Sequence, residues 1–212
     1  MNTSGSRSPR KAKGQGAERR EEILAAALKL FTEFGLYAVS TRQIAQAVGI
    51  SQPTLYAYFP TKDDIGRELH GRAFALLAQS LADGDRGPIV SPECLMEMLR
   101  IYIDFGLQHP EMYQIAFMSE SAQVKAWLKP QDVTLSPETQ STYGVLHREL
   151  ADLQARGLTV DIDPSALTQS VWSSMHGLVS LLIAKPGFPW VERELLISSH
   201  LQLMARGVWK AA

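Results

Sequence analysis

Residues 40–62, STRQIAQAVGISQPTLYAYFPTK, hold three helix starts, a helix stop and a proline break in one short stretch. Ser40 is a good N-cap, because its hydroxyl can accept a backbone N–H of the first turn. Gln43, three residues on, can complete a capping box. Ile44, Ala45 and Val48 then recur at helical spacing and make one apolar face. Gly49 stops that helix where a left-handed backbone is cheapest, and Ile50 can plug the space beyond it. Ser51 caps a second helix with Pro53 in its first turn, where a missing N–H does little harm. Leu55 and Phe59 face inward, while Gln52, Pro53, Thr54, Ala57 and Tyr58 lie wholly or partly outward. Pro60 bars extension, and Thr61 caps a third helix with Asp64 at its third position. This is the pattern of a helix-turn-helix, the unit whose second helix lies in the DNA major groove. Two helices this short bury no core alone, so the chain must supply further helical walls.

The first wall precedes them. A helix is expected over 17–34, with Ile23, Ala27, Leu30 and Phe34 at i, i+4, i+7 and i+11, Leu24 and Phe31 beside them, and Gly35 ending it. The second follows Thr61 and runs to about Ala82, with Ile65, Leu69, Ala73, Leu76 and Leu77 on one side. At 1.5 Å per residue it is long enough to enter a second domain, so the junction falls inside it. Further helices are expected over about 91–107, 111–118, 136–157, 163–184 and 190–208, with a turn or two near Val124, Trp127 and Leu128. The 163–184 helix is apolar nearly all round in its second half and must be covered on most sides. No strand, internal repeat or coiled-coil heptad stands out.

The 212 residues, 45% hydrophobic and 20% charged, suit a soluble globular protein of one or two domains. The net charge of −1 hides an asymmetry. Residues 1–62 carry nine Lys/Arg against four acids, a net +5, which leaves the rest at −6. A basic head on an acidic body fits nucleic-acid binding, although Arg7, Arg10, Lys11 and Lys13 supply most of it from the stretch 1–16. That stretch has no apolar pattern and is expected to be a disordered basic tail, either merely solvated or an arm that touches DNA. Cys94 is the only cysteine, so no intrachain disulfide forms and a reducing compartment is expected. Beside Glu93 it has no activating neighbour and reads as a small hydrophobe. No apolar run spans a membrane and no signal peptide stands at the start, so a cytoplasmic location is expected. The five histidines form no short metal spacing, and neither a phosphate loop nor a nucleophile elbow is present. No metal, cofactor or enzyme activity is expected.

Over 20–62 the chain resembles the N-terminal domain of the TetR family of bacterial transcriptional regulators. Arg20, Ile23, Leu24, Ala26, Ala27, Leu30, Phe31, Gly35, Ser40, Ile44, Ala45, Val48, Gly49, Ser51, Thr54, Leu55, Tyr56, Tyr58, Phe59 and Lys62 carry the resemblance. Gly66 stands where the family usually has a larger residue. Trp172-Ser173-Ser174-Met175-His176-Gly177 resembles the Trp-x-x-x-His-Gly signature of one type of TetR C-terminal domain, and His109-Pro110-Glu111-Met112-Tyr113 through Phe117 resembles its middle region. The resemblance implies an all-α fold of about nine helices. A helix-turn-helix head over 17–62 is joined by a connecting helix to an effector-binding and dimerisation domain over 63–212. It also implies that the last two helices pair across a dimer.

Carried onto this chain, the family's third helix becomes about Gln52–Phe59, lying in the major groove. Gln52 then meets adenine or bonds more loosely, Pro53, Thr54 and Ala57 meet thymine methyls, and Tyr56 and Tyr58 reach phosphates. Tyr58 has packing against Phe59 as its alternative. Thr41, Arg42 and Lys62 are expected to clamp the DNA backbone. The expected effector pocket draws on Tyr102, Phe105, Met112, Tyr113, Phe117, Trp127, Tyr143, Trp172, Met175 and His176. Core packing is the alternative for most of them; for His176 a structural or pocket hydrogen bond is the favoured reading, with effector contact as its alternative and a metal or catalytic role the least favoured. The expected dimer interface includes Leu178, Leu181, Leu182, Leu195, Ser199 and Leu203. Together these imply a regulator, in the first instance a repressor, that binds a palindromic double-stranded DNA operator as a homodimer. A small apolar or aromatic effector releases it. The alternatives are a non-specific architectural DNA binder, and a small-molecule-binding protein or enzyme that retains the head.

Overall fold

The computed structural model describes residues 15–83, 89–118 and 137–210. Residues 1–14 of the expected tail 1–16 and the expected turns around Trp127 lie outside the described residues, while Gln15 and Gly16 already belong to the first helix. The described chain is all-helical, with nine α-helices, one π-helical turn and a single isolated antiparallel bridge. It divides into two compact units, the first ending at Arg67 and the second beginning at Glu68.

The first unit contains α1 (Gln15–Phe34), α2 (Thr41–Val48), α3 (Gln52–Tyr58) and the start of α4 (Lys62–Asp83). Local chemistry sets the ends of α2 and α3. Ser40 Oγ accepts from Gln43 N while Gln43 Oε1 accepts from Ser40 N at 2.8 Å, a complete capping box. Gly49 takes φ 70°, and its N–H donates to the carbonyls of Ala45 and Gln46. Ser51 caps α3 through the Thr54 N–H at 3.3 Å. Thr61 and Asp64 cap α4 reciprocally, and the Thr61 hydroxyl holds the Asp64 carboxyl below the usual range. α1 packs on α2 and α2 on α3. Ile23, Leu24, Ala27, Phe31, Ile44, Ala45, Leu55 and Phe59 form the core that results. Phe34 departs from the expected stripe. The chain turns off at Gly35, φ 82°, and Phe34 is left 53% exposed.

The second unit takes α4 from Glu68 onward, α5 (Pro92–Gln108), α6 (Pro110–Tyr113), the π-helical turn Gln114–Met118, α7 (Pro137–Ala155), α8 (Pro164–Ala184) and α9 (Arg193–Val208). α5 is the central wall and packs against α6, α8 and α9, while α7 packs on α8. Leu95, Ile103, Phe105, Tyr113, Leu150, Leu153, Val171, Met175, Val179 and Ile197 are all buried there. Arg100 fastens α5 to α9, with its guanidinium donating to both carboxylate oxygens of Glu194 at 2.8 and 3.0 Å. The chain end is stitched to the α7–α8 loop, where Val160 N donates to Val208 O and Lys210 N to Leu158 O. No helix among the described residues is long and apolar enough to cross a membrane.

Gly106 is the closest point of this core. A Cβ there would lie 2.4 Å from Val179 Cγ1 and 2.9 Å from Tyr113 Cδ2. In an open helix Gly→Ala stabilises by about 1 kcal/mol, but here overpacking outweighs that gain. Gly106→Ala is expected to destabilise the protein by about 1–3 kcal/mol. Chemical denaturation of the full chain checks the sign.

Candidate functional site

The first candidate surface is the outer side of α2 and α3. Leu55 and Phe59 are fully buried, which turns Pro53, Thr54, Tyr56 and Ala57 to the exterior. Gln52 and Tyr58 are half-buried. Thr41 begins α2 and joins two of them, since Gln52 Nε2 donates to Thr41 Oγ1 at 3.2 Å and Thr41 Oγ1 lies 3.0 Å from Tyr56 OH. Arg42 is exposed beside Thr41. α3 itself, QPTLYAY, has no charged side chain, so ionic attraction for phosphate must come from its flanks.

Lys62 is placed otherwise than expected. Its Nζ donates to the carbonyls of Leu36 at 2.7 Å, Val39 at 2.8 Å and Tyr37 at 3.4 Å. The ammonium is thus bonded to the α1–α2 loop, whose carbonyls would otherwise lack donors from a helix. Two arginines overlooked as structural parts also serve the head. The Arg20 guanidinium stacks over the Phe59 ring at 4.5 Å, and Arg19 donates to Val48 O at 3.4 Å while pairing with Glu22.

The second candidate site is a cavity of about 440 Å³ in the second unit. Of the residues expected there, Tyr102, Phe117, Tyr143, Trp172 and Met175 line it. Phe105, Met112, Tyr113 and His176 do not, and Trp127 lies outside the described residues. Tyr113 is fully buried and forms a wall behind the cavity. Its hydroxyl lies 3.0 Å from Tyr102 OH and 2.7 Å from His176 Nδ1. His176 is therefore a hydrogen-bond terminus for a core tyrosine. Burial pushes the Tyr102 phenol up to about 12 and raises Tyr113 further, so both remain neutral. The sequence reading missed Phe74, Leu77 and Leu81 of α4, and Gln169 and Ser173 of α8. Gln169, Trp172 and Ser173 share one helix face at i, i+3 and i+4, a periodicity that could have revealed Gln169 and Ser173 from Trp172. Among the described lining residues none is ionised at neutral pH; the polar atoms belong to hydroxyls, an amide and an indole.

The expected dimer residues separate into two groups. Leu178, 7% exposed, belongs to its own core and is withdrawn from the surface, and Leu182 is half-buried against that core. Leu181, Leu195, Ser199 and Leu203 are exposed, and Leu195, Ser199 and Leu203 follow one line along α9 at i, i+4 and i+8. Phe188 and Val191, in the loop before α9, are exposed as well. Cys94 is half-buried against the core with the Ser91 hydroxyl 3.5 Å from its sulfur, a contact that lowers the thiol pKa. No group of three or more His, Cys, Asp or Glu suited to a metal occurs among the described residues.

Residues 23–69 match the family described as "Bacterial regulatory proteins, tetR family", and residues 95–203 match the family described as "Tetracyclin repressor-like, C-terminal domain". The nucleoid occlusion factor SlmA of Haemophilus influenzae (strain PittGG) is 27% identical over 114 residues, which are 51% of this chain and 52% of that protein. The chain thus spans about half the length of that relative. The HTH-type transcriptional regulator HbdR of Aromatoleum sp. (strain CIB) is 48% identical over 48 residues, 23% of this chain and 21% of HbdR. Among solved structures, a bacterial regulatory protein in the tetR family from Rhodococcus RHA1 superposes with a TM-score of 0.75 at 17% identity, covering 92% of this chain and 99% of that one. At that identity the likeness speaks for the fold.

Two predictions test the placements above. Lys62→Met is expected to lower stability by about 1–3 kcal/mol, the usual worth of hydrogen bonds to a charged group; a lysine that only clamped DNA would leave the unfolding transition unmoved. Burial lowers the pKa of His176 and of His200 in the folded chain. The unfolded chain takes up those protons near the ordinary histidine value of about 6.5, so below it the unfolded state binds more protons and folding weakens. Stability is expected to fall as the pH drops through about 6.5, and His176→Asn to flatten that slope in thermal melts recorded on either side of it.

Proposed function

The chain belongs to the tetR family of bacterial regulatory proteins, and on that premise we propose that it is a homodimeric, sequence-specific DNA-binding regulator whose hold on its operator is controlled by a small molecule. The observation that carries the reading is the outward presentation of Pro53, Thr54, Tyr56 and Ala57 on α3, whose inner residues Leu55 and Phe59 are locked in the core. A rigid helix with an uncharged, mixed polar and apolar outer face suits base edges in a major groove. Arg42 supplies a neighbouring contact, and Thr41 supports the surface by holding Gln52 and Tyr56. A regulator of this kind needs no catalytic group, and the reading is of a regulator and not of an enzyme.

The cavity of about 440 Å³ is the effector site in this reading. Its aromatic, aliphatic and methionine walls favour a neutral, largely apolar or aromatic molecule. α4 is the element that carries the signal, because Phe74, Leu77 and Leu81 line the cavity and the same helix begins at Lys62. Effector binding shifts the population toward a conformation that no longer fits the operator, with a coupling of about 1–3 kcal/mol as is typical of such linkage. Repression is the simplest output. The exposed leucines Leu181, Leu195 and Leu203 support pairing of α8 and α9 with a second copy, and a palindromic operator follows from that symmetry. A cytoplasmic location belongs to the same proposal.

A second reading takes the likeness to SlmA as its observation: a factor concerned with nucleoid occlusion, as the name of that relative states. Fluorescence anisotropy separates the possibilities, with the gene's own upstream intergenic duplex set beside a scrambled duplex at about physiological salt. The expected result is discrimination of about a thousandfold or more, with release on addition of an apolar or aromatic compound that also changes the fluorescence of Trp172. Equally weak, steeply salt-dependent binding to both duplexes, repeated across an unbiased pool of genomic fragments, overturns the specific-regulator reading.

A further inference from the structure

We infer that Tyr56 and Thr41 together decide which way round the Gln52 amide meets the bases, and so restrict the base it reads to adenine, with cytosine second. The inference rests on the DNA-binding reading above. Its basis is a chain of three side chains: Gln52 Nε2 donates to Thr41 Oγ1 at 3.2 Å, and Thr41 Oγ1 lies 3.0 Å from Tyr56 OH. Tyr56 is 45% exposed, and the three residues come from both helices of the motif.

The two hydroxyls can each donate one proton and accept through their lone pairs. By itself the chain therefore has two possible directions. A phosphate removes that freedom, because its oxygens only accept. When Tyr56 donates to a phosphate, its oxygen keeps only lone pairs for Thr41, so Thr41 must donate to Tyr56. Thr41 in turn keeps only lone pairs for Gln52, so Gln52 must offer Nε2 and not Oε1. The chain then runs one way, from the Gln52 N–H through the Thr41 and Tyr56 hydroxyls to the DNA backbone. If Thr41 instead donated to a flipped Gln52 Oε1 while Tyr56 held a phosphate, the two hydroxyl oxygens would face each other across 3.0 Å with no proton between them.

With one N–H given to Thr41, Gln52 retains a carbonyl oxygen and a second N–H. Adenine presents the complement in the major groove, the N6 amino donor beside the N7 acceptor. Cytosine offers the N4 amino group alone. Guanine and thymine present acceptors at the corresponding edge and leave Oε1 facing a lone pair. A backbone contact, which carries no sequence information directly, thus acquires an influence on base choice through two hydroxyls.

The test uses the full-length chain and a randomised duplex pool, from which the wild-type protein selects its own site. Anisotropy then measures the selected duplex and its single-base replacements against the wild type, Gln52→Ala, Thr41→Val, Thr41→Ser and Tyr56→Phe. At one position per half-site the wild type is expected to favour adenine over guanine or thymine by about tenfold or more. Gln52→Ala abolishes that preference at this position only. Thr41→Val and Tyr56→Phe shrink it several-fold by letting the amide turn over, whereas Thr41→Ser retains it. Tyr56→Phe and Thr41→Ser keep the comparison readable should Thr41→Val unfold. Two results overturn the inference while leaving DNA binding in place. One is a uniform loss of affinity for all duplexes in Tyr56→Phe with base preference unchanged. The other is a Gln52-dependent position that prefers guanine or thymine. A wild-type protein that enriches no sequence at all removes the DNA-binding reading and this inference together.

Discussion

Everything on the outer face of the head depends on the burial of two helices that could not exist by themselves. α2 has eight residues and α3 seven, well short of the length at which an isolated helix holds in water. What stabilises them is contact. Ile44 and Leu55 are wholly excluded from solvent, and Phe59 nearly so, with Arg20 closing over its ring. Because these inner residues have no freedom, their outer neighbours have little. Gln52, Thr41 and Tyr56 are held within hydrogen-bond distance of one another across the two helices, which a flexible loop would not achieve. The caps at Ser40, Gly49 and Ser51 set where each helix begins and ends, while the core sets which way each faces.

The second unit solves the opposite problem. It has apolar surface in abundance and must leave space unfilled. α5 approaches α8 so closely at Gly106 that no Cβ fits, and Tyr113 fills the region beside that contact. Its hydroxyl is satisfied by Tyr102 on one side and His176 on the other, so a bulky polar side chain is buried without an orphaned group. Around Tyr102 the rings of Phe117, Tyr143 and Trp172 meet edge-on or tilted and do not stack flat. Rings set at such angles leave gaps, and the cavity is bounded by them. The π-helical turn Gln114–Met118 places Phe117 among them, in keeping with the frequent association of such turns with functional sites.

Much of this was legible in the chain, and some was not, for reasons that can be named. Ser40 with Gln43, Gly49, and Ser51 with Pro53 act on partners within a few residues, so their effect could be read directly. So could the inward pair Leu55 and Phe59. Lys62 could not. Its three carbonyl partners lie 23 to 26 residues earlier, and a lysine at a helix start reads equally well as a phosphate contact. Leu178 and Leu181 look alike on an apolar helix, yet one is core and the other surface. A hydrogen bond for His176 could be read from its place on an apolar helix, but not that its partner is Tyr113, which is absent from the cavity lining.

The sequence by itself determined the helices, their order and their ends, because capping, glycine conformation and apolar periodicity act over a turn or two of chain. It also determined that Leu55 and Phe59 face inward from the short α3, although not that Phe34 would be left outside. Tertiary structure alone decided where the Lys62 charge is spent, which aromatic side chains bound the cavity and which leucines remain outside. Those outcomes turn on contacts between residues far apart in the chain, where a side chain's partner is set by the rotation and approach of whole helices. No local pattern encodes that rotation; it follows from the packing of all the faces at once.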